Sequence, residues 1–137
     1  MITSKKQYTA AKEQLVMLMT SVSAPKRAGV PDVIENAGKA QLQELIGELQ
    51  LNIEEYDILT DGKLSDIEIH SVDDLMVVPI RYRIAAHMSI DAFSRKVGVS
   101  ARQIARYEKE NYQNTNSSTL RKILEVLDIH LDGKVLC

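Results

Sequence analysis

The sequence has few aromatic residues, one cysteine and no long apolar run. Aromatic residues make up 4% of the 137 positions and tryptophan is absent, so the core must be aliphatic, which favours helices over an aromatic-rich sheet. The single cysteine, Cys137, excludes an internal disulfide and fits a reducing cytoplasm. No segment approaches the ~20 apolar residues of a membrane span, and the N-terminal residues lack a signal-peptide pattern. We therefore expect a cytoplasmic protein without a membrane partner.

Catalytic and metal-binding patterns are also missing. The three histidines, His70, His87 and His130, lie far apart, and none has the spacing of a zinc site. No serine stands in a nucleophile motif and no cysteine–histidine pair is recognisable. Cys137 is interpreted as a solvated terminus. The sequence therefore predicts neither an enzyme nor a metal or cofactor site.

The charges are unevenly distributed, although the net charge is only −2. Residues 1–78 hold seven Lys/Arg against thirteen Asp/Glu, whereas residues 79–130 hold nine against five. An acidic N-terminal half followed by a basic C-terminal half indicates that only the basic half binds a polyanion. The alternative is that the charges cluster by chance.

Two amphipathic helices are predicted in residues 1–60, separated by the Ser, Pro and Gly of SVSAPKRAGVP. Their apolar residues recur every three or four positions, as in a coiled coil. The first stripe is Tyr8, Ala11, Leu15, Leu18 and Val22, and the second is Leu42, Leu45, Ile46, Leu49, Ile53 and Tyr56. The short connection predicts an antiparallel, coiled-coil-like hairpin. Its role is dimerisation or partner binding, or merely packing over the rest of the chain.

Residues 61–78 are interpreted as a linker. The Asp-Gly pair in TDGKL (60–64) predicts a turn, and the alternation in DIEIH indicates a single short strand near 66–70. Such a strand needs a partner, for which a symmetry mate is one candidate. Ser71, followed by Asp73 and Asp74, is a favourable helix start.

The stretch SIDAFSRKVGVSARQIARYE, residues 89–108, is typical of two short helices that meet at a fixed angle. Gly98 predicts the end of the first helix in a left-handed conformation. Ser100 predicts the cap of the second, and Gln103 completes a capping-box pattern. Ile104 and Tyr107 would bury one face of the second helix. Another face presents cations at i, i+4 and i+7, namely Arg102, Arg106 and Lys109, which suits docking into a DNA groove.

From these residues the segment IRYRIAAHMSIDAFSRKVGVSARQIARYEKENYQNTNSSTLRKILEVLDIHL resembles the helix-turn-helix domain of the Cro/cI-like (XRE) repressors. The resemblance covers about fifty residues, from Pro79 to Leu131. It implies a lambda-repressor-like domain, residues 79–137, of five short helices at 79–87, 89–97, 100–109, 117–127 and near 131. The whole chain is thus expected to be mainly α. More loosely, ITSKKQYTAAKEQL and LIGELQLNIEEYDIL resemble the N-terminal segments of host-inhibition-of-growth antitoxins.

The sequence departs from the family pattern at three positions. Ile90 replaces the usual Gln that touches a phosphate, which leaves that contact in doubt. His87 and Asp128 replace glycines; Asp tolerates a left-handed conformation, and His87 would let the first helix run on. The resemblance also implies a buried ion pair between Arg83 and Glu108, for which the alternative is two solvated charges.

The predicted DNA interface follows from the resemblance and from the free face of the second helix. Arginines can read guanine, small alanines permit close approach, and the helix start and the following loop meet phosphates. Its residues are Ser100, Ala101, Arg102, Gln103, Ala105, Arg106, Lys109, Tyr112, Asn114 and Asn116.

The sequence predicts a repressor that binds double-stranded DNA as a homodimer on an inverted-repeat operator. The alternative is an antitoxin that regulates its own operator through the same domain and holds a toxin through residues 1–60. A third class, an interaction protein whose fold no longer binds DNA, is disfavoured by Arg102 and Arg106.

Overall fold

The computed structural model describes residues 1–61 and 66–137, and the chain divides into two compact units, Met1–Asp61 and Gly62–Cys137. All regular secondary structure in the described residues is helical. The first unit holds α1 (Lys5–Val22) and α2 (Asp32–Thr60). The second holds α3 (Val72–Met76), α4 (Val78–Ala85), α5 (Ile90–Val97), α6 (Ala101–Lys109) and α7 (Ser117–Val126). The predicted mainly α fold is confirmed.

Helices α1 and α2 form an antiparallel hairpin. Ser4 caps α1 by accepting a hydrogen bond from the backbone N–H of Gln7. Near the start of α1, Tyr8 stacks on Tyr56 near the end of α2, with ring centroids 4.8 Å apart. The Tyr8 hydroxyl also donates to the Asp57 carboxylate at 2.6 Å. Because the start of one helix meets the end of the other, the predicted antiparallel arrangement is confirmed.

The hairpin buries little of its apolar surface. Its buried core is Ile2, Ala11 and Ile53, with four partly buried side chains packed around it: Tyr8, Leu15, Leu49 and Tyr56. More large apolar side chains of this unit are exposed than buried: Val16, Met17, Met19, Val33, Ile34, Leu45, Leu51 and Ile58, together with Met1. A unit of two helices has no third helix of its own to cover them, and exposed apolar surface of this kind can bind another molecule.

The expected strand near 66–70 is not formed. Residues 66–69 have no regular secondary structure, and a lone strand is not stable without a ladder partner. Of the turn predicted at TDGKL, Gly62, Lys63 and Leu64 lie outside the described residues. The helix predicted after Ser71 is present, and the Ser71 hydroxyl accepts from the backbone N–H of Asp74.

The core of the second unit joins α4, α5, α6, α7 and the turn before α7. Its fully buried apolar side chains, each 0% exposed, are Ile80, Phe93, Ile104, Tyr112 and Ile123. Pro79 stands in the first turn of α4, as expected for a residue without a backbone N–H. This core therefore fixes α5 and α6 relative to the helices on either side.

Two expectations for the helix ends are wrong. Helix α4 does not run on through His87: it ends at Ala85, and the Met88 N–H reaches back five residues to the Arg83 carbonyl at 3.0 Å. This closure requires the left-handed conformation that His87 adopts, with φ of 54°. The helical turn expected near 131 is also absent, because residues 129–137 have no regular secondary structure. At the end of α7 the Ile129 N–H donates to the Leu124 carbonyl at 3.0 Å. Asp128 adopts the left-handed conformation, with φ of 55°, that aspartate was expected to tolerate.

Candidate nucleic-acid interface

The turn between α5 and α6 depends on the backbone of Gly98. Its φ of 74° is left-handed, and the N–H groups of Gly98 and Val99 both donate to the Ser94 carbonyl, at 2.9 and 3.2 Å. A Cβ built on Gly98 would meet nothing within 4 Å. Glycine is therefore favoured here by the backbone conformation, not by lack of space, and it sets the direction in which α6 leaves the turn.

Gly98→Ala should destabilise the protein by about 1–2 kcal/mol, because a Cβ disfavours the left-handed conformation. Guanidinium denaturation followed by circular dichroism measures the change. Gly47→Ala is the matched control: Gly47 lies inside α2 with open space around it, so this change should stabilise by about 1 kcal/mol. Equal stability of Gly98→Ala and the parent would contradict the argument.

Ser100 fixes the first turn of α6. Its hydroxyl accepts from the backbone N–H of Gln103 at 3.2 Å. The Gln103 side chain does not complete the expected capping box; its amide donates to the Tyr107 hydroxyl at 2.9 Å. Gln103 is half-buried and faces a core residue, so it supports α6 from within the unit.

The two faces of α6 differ as the sequence predicts. Ile104 and Tyr107 are 0% and 7% exposed and pack into the core. The opposite face is open to solvent and carries Arg102, Ala105, Arg106 and Lys109, while Ala101 is half-buried beside it. A single helix thus presents three cations with the small side chains of Ala101 and Ala105 beside them.

The described part of the unit does not neutralise these cations. Among the described residues no carboxylate lies within 4 Å of Arg102, Arg106 or Lys109. The Arg106 guanidinium lies 5.9 Å from the centroid of the Tyr107 ring, a contact that leaves its N–H donors available. The face therefore offers donors and positive charge to an anionic ligand.

Arg83 and Glu108 form a buried ion pair that ties α4 to α6. The Arg83 Nε and Nη2 donate to the two Glu108 carboxylate oxygens at 2.7 and 2.8 Å. A third donor, Nη1, reaches the Met88 carbonyl at 3.0 Å. Both side chains are 7% exposed. This is the pair that the family resemblance implies, and it holds the end of α6 against the start of the domain.

Tyr112 does not belong to the interface, contrary to the prediction. It is 0% exposed, and its ring lies 5.5 Å from that of Tyr107. The chain reverses after α6 through two successive left-handed residues, Asn111 and Tyr112, with φ of 52° and 58°. This reversal turns Tyr112 into the core. Burial, followed by the nearby Glu108 carboxylate, raises the pKa of Tyr112.

Tyr112→Phe should leave the protein as stable as the parent or stabilise it by about 1 kcal/mol. The buried Tyr112 hydroxyl has no hydrogen-bond partner among the described residues, so its removal relieves a desolvation cost. Tyr112→Ala, which empties the same site, should cost about 3–5 kcal/mol. Thermal melts of both variants provide the check, and a clear loss of stability in Tyr112→Phe would show that the hydroxyl is satisfied.

The remaining predicted residues lie in the connection between α6 and α7. Asn114 is exposed and donates to the Glu110 carboxylate at 3.3 Å. Asn116 is exposed as well, but its side chain caps α7 by accepting from the Ser118 N–H at 2.8 Å. The prediction omitted other exposed cations of this unit: Arg95, Lys96, Arg121 and Lys122. The excess of basic residues in 79–130 was the signal that could have found them.

A search against protein families matches residues 80–134 to the helix-turn-helix family. Residues 80–134 are a helix-turn-helix domain. The match supports the Cro/cI-like (XRE) type that the sequence resembles, and this type of domain binds DNA and regulates transcription. Neither the search of curated proteins nor that of solved structures found a match for the chain.

The helix-turn-helix domain comprises α4 to α7. Helices α5 and α6 flank its turn, and α6 is the second of the two. Elsewhere in the described ranges, 1–61 and 66–137, no group of three or more His, Cys, Asp or Glu residues could hold a metal ion. None of the helices in those ranges is long and apolar enough to cross a membrane. The exposed basic face of α6 is the candidate functional site in the described residues.

Proposed function

We propose that this DNA-binding regulator is a sequence-specific repressor that binds an inverted-repeat operator as a homodimer. The observation that carries the proposal is the outward face of α6, whose Arg102, Arg106 and Lys109 have no carboxylate partner among residues 1–61 and 66–137. Arginine can donate two hydrogen bonds to guanine, and Ala101 and Ala105 are small enough to meet a thymine methyl group. Ser100 caps α6, and in the proposed complex Ser100 and the first backbone amides of the helix would meet a phosphate.

The exposed apolar side chains of the α1–α2 hairpin support self-association. Val16 and Met19 of α1 are 65% and 48% exposed, and Ile34 and Leu45 of α2 are 62% and 43% exposed. Burying such side chains between two copies is favourable at about 25 cal/mol per Å² of apolar surface. In a two-fold dimer, two α6 helices would read half-sites about 34 Å apart in successive major grooves.

Selection from random DNA with the full-length protein tests this proposal. We expect an inverted repeat whose half-sites are about one helical turn apart. Val16→Ser combined with Met19→Ser should convert the dimer into a monomer in sedimentation experiments and weaken operator binding. Tight, specific binding of a monomer to an isolated half-site would contradict the dimer model.

The antitoxin alternative uses the same helix-turn-helix domain and differs in what the hairpin binds. The exposed apolar residues of the hairpin also suit a toxin, so this alternative is distinguished by its partner. Stoichiometric co-purification with the product of an adjacent toxin gene, and relief of toxicity by the full chain, would favour the antitoxin.

A further inference from the structure

The outer face of α2 is separate from the face that packs on α1. Leu49 and Ile53 pack into the hairpin core, and Leu51 lies two residues from each. At 3.6 residues per turn this places Leu51 on the opposite side of α2. Ile58 follows seven residues later on the same side, about 10.5 Å along the axis. Leu51 and Ile58 are 67% and 68% exposed, which agrees with this position.

Carboxylates surround both apolar side chains. On a helix the neighbours of a residue are those three and four positions away. For Leu51 these are Gly47, Glu48, Glu54 and Glu55, so three of the four are acidic. For Ile58, Glu54, Glu55 and Asp61 are neighbours. Residues 40–61 contain six acidic residues and no Lys or Arg. Here we call Leu51, Ile58, Glu48 and Glu54 the acidic face of α2.

We infer that the acidic face of α2 binds a basic amphipathic helix of another protein. Leu51 and Ile58 are spaced as in a heptad, the spacing at which one helix packs on another. The space beside Gly47 lets the partner approach the backbone of α2 closely. The surrounding carboxylates require a partner whose apolar residues are flanked by Lys or Arg, because like charges across an interface oppose binding.

A second copy of the same face fits less well than a basic helix. Self-pairing would bring two sets of glutamates together, with no Lys or Arg between residues 40 and 61 to compensate them. The proposed homodimer therefore uses the other exposed apolar side chains of the hairpin, and the acidic face stays open in the dimer. Binding of a basic helix to the acidic face does not depend on DNA binding by α6.

Two designed helical peptides test the inference with the full-length protein. Both carry the same heptad of leucines, flanked in one peptide by lysines and arginines and in the other by glutamates. In fluorescence anisotropy the basic peptide should bind and the acidic one should not, and the affinity should fall as salt rises. Failure of the basic peptide to bind, or equal binding of both peptides, would overturn the inference.

Variants then locate the binding site. Leu51→Ser with Ile58→Ser should weaken binding of the basic peptide roughly 10- to 100-fold, since two apolar contacts are lost. Met17→Ser on α1, 70% exposed in the parent, is the matched control and should bind normally. Glu48→Gln with Glu54→Gln should reduce both the affinity and its salt dependence without removing an apolar contact.

Sedimentation separates this surface from a homodimer interface. The Leu51→Ser, Ile58→Ser variant should sediment as the parent does and should bind the operator with the parent's affinity. Dissociation of that variant into monomers would show that a second copy covers the acidic face, and would overturn the inference. If the parent protein selects no inverted repeat from random DNA, the proposed function is contradicted. The result of the peptide-binding experiment is unaffected by that outcome.

Discussion

Arg83→Ala should lower the free energy of unfolding by about 3–5 kcal/mol. The change leaves the Glu108 carboxylate, 7% exposed, without the two hydrogen bonds that it accepts from Arg83. It also removes the donor to the Met88 carbonyl at the end of α4. Glu108→Ala should cost a similar amount, because it leaves the Arg83 charge buried without its carboxylate partner. Guanidinium denaturation of the full chain measures both effects.

Two controls separate a buried pair from a general effect of charge removal. Arg95→Ala removes an exposed cation of α5 and should change stability by less than about 0.5 kcal/mol. Arg83→Met combined with Glu108→Leu should be less destabilising than the two alanine changes added together, because no charge is then left without a partner. If Arg83→Ala and Glu108→Ala both melt like the parent, the pair contributes nothing to stability.

Arg102→Ala and Arg106→Ala should each relax base preference at one or two positions of the half-site, with about 1–3 kcal/mol of discrimination lost per contact. Both side chains are exposed and outside the ion pairs of the described residues, so the melting temperature should not change. Competition binding against single-base operator variants measures the preference. Unchanged preference in both variants would falsify the assignment of α6 as the reading helix.

Lys109→Ala is the comparison for these arginine variants. Lys109 is exposed in the last turn of α6, nearer a phosphate than a base edge in the proposed complex. Its removal should weaken binding to all sequences alike and reduce the slope of log K against log salt by about one. A change in base preference in this variant would instead place Lys109 in the groove.

Local sequence signals were sufficient for most helix positions. The apolar stripes and the break at SVSAPKRAGVP placed two helices within residues 1–60, as observed for α1 and α2. Ser100 and Gly98 likewise located the turn before α6, since a cap and a left-handed glycine act on their own few residues. The inward positions of Ile104 and Tyr107 followed from the apolar face of the second predicted helix.

The errors concern features that local sequence does not determine. Tyr112 was assigned to the interface because it lies in a polar loop, but two successive left-handed residues turn it into the core. Apolar and polar residues do alternate in 66–70, but a strand also needs a neighbouring strand to pair with, and residues 66–69 form no regular secondary structure. Helix α4 does not continue through His87, because the Met88 N–H donates to the Arg83 carbonyl. A histidine in the sequence gives no indication of this backbone hydrogen bond.

In the proposed complex, the division of α6 into an inward and an outward face makes the DNA preference easy to change by mutation. Arg102, Ala105 and Lys109 are exposed, whereas the contacts that hold α6 in place come from Ile104, Tyr107 and the Glu108 carboxylate. A library randomised at 102, 105 and 109 should therefore consist mostly of folded proteins that differ in their target. The binding preference can in this way change through a few surface substitutions without a compensating change in the core.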